Sequence, residues 1–133
     1  MPAPLRYDYT VVRVVPRVER GEFVNAGVIL SCAASGYLKA RIALDEQRLL
    51  ALDPACDLAM VHAALEAIPA ICEGGAAAGA LARLSLRERF HWLVAPRSSS
   101  IQTAPVHTGR AADLDAALET LLQRMVHAPA AGA

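Results

Sequence analysis

The sequence predicts an α+β domain: a mostly antiparallel sheet of about four strands, beginning with a three-strand meander, with helices packed on one side. Three observations predict it. Before residue 45 the chain runs in segments rich in Val, Tyr and Thr whose side chains alternate, the habit of pleated strands. After it come stretches with apolar residues at helical spacing, opened by Asp or Ser. A further β-prone run, Ser100 to Val106, supplies a fourth strand late in the chain.

The elements follow in order. Met1 to Leu5 holds two prolines and is expected to be a loose end. Tyr7 to Val15 is the first strand, with Tyr7, Tyr9, Val11, Arg13 and Val15 on one face and Val12 and Val14 on the other. Both faces carry apolar groups, which predicts a central strand. Pro16 cannot donate to a ladder and ends it. Arg17 to Glu22 turns the chain, with Gly21 free to take positive φ. Phe23 to Cys32 returns. Val24, Ala26, Val28 and Leu30 form its apolar face, and Gly27 marks a bulge or a close approach. A turn at Ala33 to Gly36 leads to a third strand, Tyr37 to Leu44.

Asp45 caps a short helix through Ala51. Asp53-Pro54 reads as the start of a second helix running to about Cys72 on Leu58, Val61, Leu65 and Ile68, with Pro69 a threat to its end. Residues 73–79 are a Gly/Ala linker. Ser85 and Glu88 have capping-box spacing and open a helix to about Leu93, which Pro96 stops. Thr108-Gly109 reads as a turn. Asp113 opens the last helix on Leu114, Leu118, Leu121, Leu122 and Met125. The whole chain, 1–133, reads as one domain with an ordered core of about 7–127.

Composition narrows the function. Hydrophobic residues make up 55% and charged residues 20%, which suits a packed core. Thirteen basic and thirteen acidic residues cancel, which argues against nucleic acid or a membrane surface as partner. Three cysteines at scattered spacings do not make a disulfide framework. The N-terminus lacks a leader pattern and no charge-free apolar run reaches the roughly 20 residues that span a bilayer, so the expectation is a cytoplasmic protein.

Two polar clusters carry the chemistry. Arg13, Glu19, Glu22 and Asn25 belong to the first hairpin. Paired carboxylates can hold a divalent cation or divide acid and base roles. They can equally be solvated turn charges paired to Arg17 or Arg20. Arg13 stands in a central strand and needs a partner, either a structural carboxylate or a ligand anion. The second cluster spans Arg89, Arg97, Ser98, Ser99, Ser100, Gln102, His107 and Arg110. Backbone N–H groups, hydroxyls and a guanidinium can hold a phosphate or carboxylate there, although the glycine spacing of a P-loop is missing. Trp92, the single Trp, reads as core. A nucleophilic set of Ser99, His107 and Glu22 lacks a nucleophile elbow. His62, His91, His107 and His127 show no metal-ligand spacing.

YDYTVVRVVPRVERGEFVNAGVIL and RFHWLVAPRSSSIQTAPVHTG together carry a resemblance. The chain resembles the bacterial family called domain of unknown function 3037, over roughly Tyr7 to Val126. The resemblance implies no activity. It places motif positions on Arg13, Pro16, Glu19, Glu22, Asn25 and Gly27, and on Arg89, Trp92, Pro96, Arg97, Ser98, Gln102, His107 and Gly109. It also implies gene neighbours that look like HipA-type kinases, hence a kinase of that kind as protein partner.

The reading that results is a non-catalytic module binding an anionic small ligand or a protein partner, through Arg13, Glu19, Glu22, Asn25, Arg89, Arg97, Ser98, Gln102 and His107. It expects the two segments to meet, so that Arg13 and Arg97 line one hollow. Two alternatives stand beside it. One is a metal-dependent phosphoester hydrolase or nuclease with Glu19 and Glu22 on the metal and His107 as acid or base. The other makes the polar residues an internal network. No cofactor is assigned, and an exposed edge strand leaves a homodimer open.

Overall fold

Why the first strand can be buried on both faces becomes plain from its neighbours. The computed structural model describes residues 3–97 and 99–127. β1 (Leu5–Val14) is the middle of a five-stranded antiparallel sheet. β2 (Val24–Cys32) pairs along one side of it and β3 (Tyr37–Ile42) pairs with β2, the expected meander. On its other side, β4 (Ile101–Thr103) covers Val12 to Val14 and β5 (His107–Ala111) covers Leu5 to Tyr9.

The fourth and fifth strands replace one expected strand and a turn. Pro105 cannot donate to the ladder, so pairing with β1 stops after Ala104, whose N–H donates to the Val11 carbonyl at 2.9 Å. It resumes at His107. Thr108 and Gly109 are strand and not turn because Gly109 has no side chain. A Cβ there would lie 2.5 Å from the Tyr7 ring, which packs across it.

β2 carries a bulge. Val12 pairs with Gly27 but Arg13 pairs with Asn25, so Ala26 is extra. The bulge reverses the alternation that the sequence leads one to expect. Val24, Ala26 and Ile29 face one apolar cluster, and Val28, Leu30 and Cys32 face another. Both faces of the sheet are therefore hydrocarbon, and both need a cover. α1 (Glu46–Leu52), α2 (Leu58–Glu73) and α3 (Leu86–Val94) pack over the first cluster. α4 (Leu114–Met125) alone packs over the second through Leu114, Leu118, Leu121 and Leu122. The α+β class is as expected, but helices lie on both faces and not on one.

Local signals set the helix ends. Asp45, Ser85 and Asp113 cap as their positions predict, Ser85 with the full reciprocal box to Glu88. Asp53 does not open α2. Its carboxylate accepts from the Ala55 N–H and from Arg17, and Asp57 caps α2 by accepting from Met60 N–H. α2 runs through Pro69 and ends at Gly74, in the left-handed region at φ 72°. The Gly/Ala linker is tighter than expected: Ala76–Arg83 forms 3-10 turns that bury Ala78. Among the described residues no single helix is long and apolar enough to cross a membrane.

Candidate functional site

A concavity lies on the face covered by α2 and α3. Met60, Ala64, Ala67 and Ile71 recur along α2 at intervals of four, three and four, which puts them on one stripe. Trp92 and Leu93 of α3 form the second wall, and residues 99–103 the third. The cleft encloses about 430 Å³.

The sequence shapes its rim. Ala95 precedes Pro96, which drives it out of the helical region to ψ 136° and ends α3. The chain doubles back and brings the Arg97 guanidinium 4.1 Å over the Trp92 ring, where it also donates to the Trp92 carbonyl. Trp92 is 42% exposed, contrary to its expected place in the core. Met60, 59% exposed, faces solvent at the other side. The cleft is thus an apolar trough with one cation at its edge and, among the described residues, no carboxylate in its lining. That arrangement can hold an apolar body carrying a negative charge.

Arg13 belongs to a different place. Its cross-strand neighbours are Asn25 on β2 and Gln102 on β4, so these three form a polar row across the sheet. Val12 and Val14 point to the α2 cluster, while Tyr7 packs in the α4 cluster. Alternation therefore aims Arg13 to the α4 face. Its guanidinium lies 4.2 Å over the Phe23 ring. Asn25 donates to the Met125 carbonyl at the end of α4, 2.9 Å away, and Gln102 donates to the Ser99 carbonyl. Arg13 Nε and Asn25 Oδ1 are buried without a partner among the described residues.

The expected common hollow does not form. Arg13 and Arg97 lie on opposite faces of the sheet because one sits on an α4-facing strand position and the other follows α3. The remaining candidates also disperse. Glu22 pairs with Arg20, whose hydrogen bond holds that carboxyl below its usual range. Glu19 lies 3.9 Å from Arg17. Glu19 is exposed and Glu22 partly exposed. His107 stands beside the Tyr9 ring at 5.8 Å. Four residues of β1 separate that level from Arg13, about 13 Å at roughly 3.3 Å per residue. Ser99 donates to the Ile101 carbonyl, away from His107 and Glu22. Ser98 lies outside the described residues. Among those described, no group of three or more His, Cys, Asp or Glu is placed to hold a metal ion.

Arg89 is a clasp. It donates to the Leu84 carbonyl at 2.9 Å and the Cys72 carbonyl at 3.3 Å, tying the end of α2 to the start of α3. Gly74 makes room for it, since a Cβ there would stand 2.9 Å from the guanidinium carbon. Of the expected ligand residues that are described, only Arg97 and Gln102 border the cleft. Met60, Trp92 and the α2 stripe complete it.

A family model described as "Protein of unknown function (DUF3037)" matches residues 9–126. No curated protein and no solved structure matches.

Proposed function

This chain belongs to the DUF3037 family of proteins of unknown function, and from that premise we propose that it is a non-catalytic binding module. Its cleft takes an apolar body that bears a negative charge, whether a small ligand or part of a protein partner. A HipA-type kinase, implied by the family resemblance, is one such partner. The observation that carries the reading is the Arg97 guanidinium held on the half-exposed Trp92 ring at the rim of an otherwise apolar trough. Stacking fixes the guanidinium in place, so less side-chain freedom is lost when an anion arrives. The same stacking leaves other guanidinium N–H groups free to donate outward.

Trp92 reports on its own site because it is the only Trp. Medium-chain fatty carboxylates and aryl phosphates are the probes, with inorganic phosphate as the control. Such apolar anions are expected to shift Trp92 emission and raise the melting temperature, and Arg97→Ala should abolish both responses. Inorganic phosphate alone should do neither. A full response retained by Arg97→Ala, or none in the wild-type protein, overturns the proposal.

On the α4 face the polar residues read as an internal tie. Asn25 closes the α4 C-terminus onto β2, and Arg13 stacks over the Phe23 ring opposite Gln102. The metal-dependent hydrolase reading gains no support from Glu19, Glu22 and His107, which have separate partners.

A further inference from the structure

We infer that the cleft receives an extended segment of a partner protein, added as a strand along the free edge of β4, with apolar side chains against α2 and a carboxylate on Arg97. This rests on the binding reading above and names the occupant.

The first support is the direction of the β4 backbone. Val15 N–H donates to the Ser100 carbonyl and Ala104 N–H to the Val11 carbonyl. With Arg13 opposite Gln102, residues 100, 102 and 104 bond to β1. Ile101 and Thr103 therefore aim their N–H and C=O groups away from β1. No strand pairs with them among the described residues, since β4 ends the sheet order. Among the described residues the Ser99 hydroxyl, donating to the Ile101 carbonyl at 2.8 Å, is the one group that occupies this edge, and a hydroxyl rotates away readily.

The second support is that the edge borders the trough. Five consecutive residues, Ser99 to Thr103, line it, although alternate side chains of a strand point to opposite faces. Consecutive lining is what a strand gives when its backbone edge forms the wall. A helix in the trough would bring a backbone already satisfied internally and leave the Ile101 and Thr103 groups unpaired. An extended segment pairs them.

Dimensions and charge agree. From Met60 to Ile71 the α2 stripe runs about 16 Å at roughly 1.5 Å per residue, the length of about five strand residues. Ala64 and Ala67, small and central, leave room for side chains that point down from alternate positions of the guest. Arg97 is the only charged residue of the lining among the described residues, so the fitting guest carries an acid.

The test selects random dodecapeptides on the full-length protein by display, then measures the best synthetic peptide. The expected winner alternates apolar residues with an acidic group nearby and shifts Trp92 emission. It should slow hydrogen exchange at the Ile101 and Thr103 amides. N-methylation of the peptide amides that pair should weaken binding about tenfold, and of the intervening ones little. Arg97→Ala should also weaken it about tenfold. A winner that shifts Trp92 but tolerates every N-methyl group, or leaves both amides unprotected, overturns strand addition and leaves the binding reading standing. So does a selection that enriches nothing while apolar anions still shift Trp92. If neither peptides nor anions act, both inferences fall.

Discussion

Gly27→Ala tests whether the β2 bulge is fixed by a close approach of backbones. A Cβ on Gly27 would stand 2.6 Å from Ile42 Cδ1 and 2.7 Å from the Arg41 carbonyl oxygen. The first atom ends a side chain and can swing aside. The second belongs to the β2–β3 ladder and cannot move without breaking the Gly27–Ile42 pairing. Ala in place of Gly gains about 0.5–1 kcal/mol in an ordinary strand. Overpacking costs about 1–3 kcal/mol, and a backbone obstacle puts this site at the upper end. The expected net loss is about 2 kcal/mol, or about 8 °C in melting temperature at roughly 4 °C per kcal/mol for a domain of this size. Urea and thermal unfolding measure it. Adding Ile42→Val removes Cδ1 but not the carbonyl contact, so the double variant should recover less than half of the loss. A Gly27→Ala protein as stable as wild type, or full rescue by Ile42→Val, refutes the argument.

Two further outcomes are expected. Arg89→Ala should cost about 2–3 kcal/mol in urea unfolding, because two helix-end carbonyls lose a charged donor. Arg89→Lys should recover little of it, since an ammonium cannot span both, and a fully stable Lys variant would refute the clasp. The Cys72 thiol, buried under α2, is pushed up to about 12 by desolvation, with Arg89 opposing the shift. Its folded state holds the proton that the unfolded thiol releases near pH 9. Its contribution to stability is therefore full below that pH and lost as pH rises toward 12. Cys72→Ser, lacking an ionisable group, should flatten the alkaline fall in stability between pH 9 and 11. An unchanged slope would refute it.

Much of the fold was legible because local signals and global packing agree in it. The meander, the Ser85 box and the caps at Asp45 and Asp113 follow from residue type at fixed offsets. Three features were hidden because each depends on a distant partner. Gly27 signals the bulge, but not that the extra residue is Ala26, whose insertion turns Val24 and Ile29 to the same face. Gly109 looks like a turn residue until Tyr7 is seen lying across it. Asp53-Pro54 has every mark of a helix start, but Arg17 and the Ala55 N–H occupy the carboxylate. The sheet acquires helices on both faces as a consequence of the first of these, since a bulged β2 presents hydrocarbon both ways.

The candidate site was half legible, and the missing half has a physical signature. Arg97 stood out by charge, but its platform and trough are apolar and blend with core sequence. The distinguishing sign is surplus. Val61, Leu65, Ile68 and Cys72 suffice to seat α2 on the sheet, and all four are buried. Met60, Ala64 and Ala67 form a second apolar stripe beside the first and all three are exposed, so the sheet face does not cover them. A helix with two adjoining apolar stripes in a chain this small either wastes surface or keeps one for a guest. The pairing of that spare stripe with a three-residue edge strand and one fixed guanidinium favours the guest. Arg13 misleads for a different reason: its strand position suggests a fully buried charge, but it is only partly buried, with its guanidinium over the Phe23 ring.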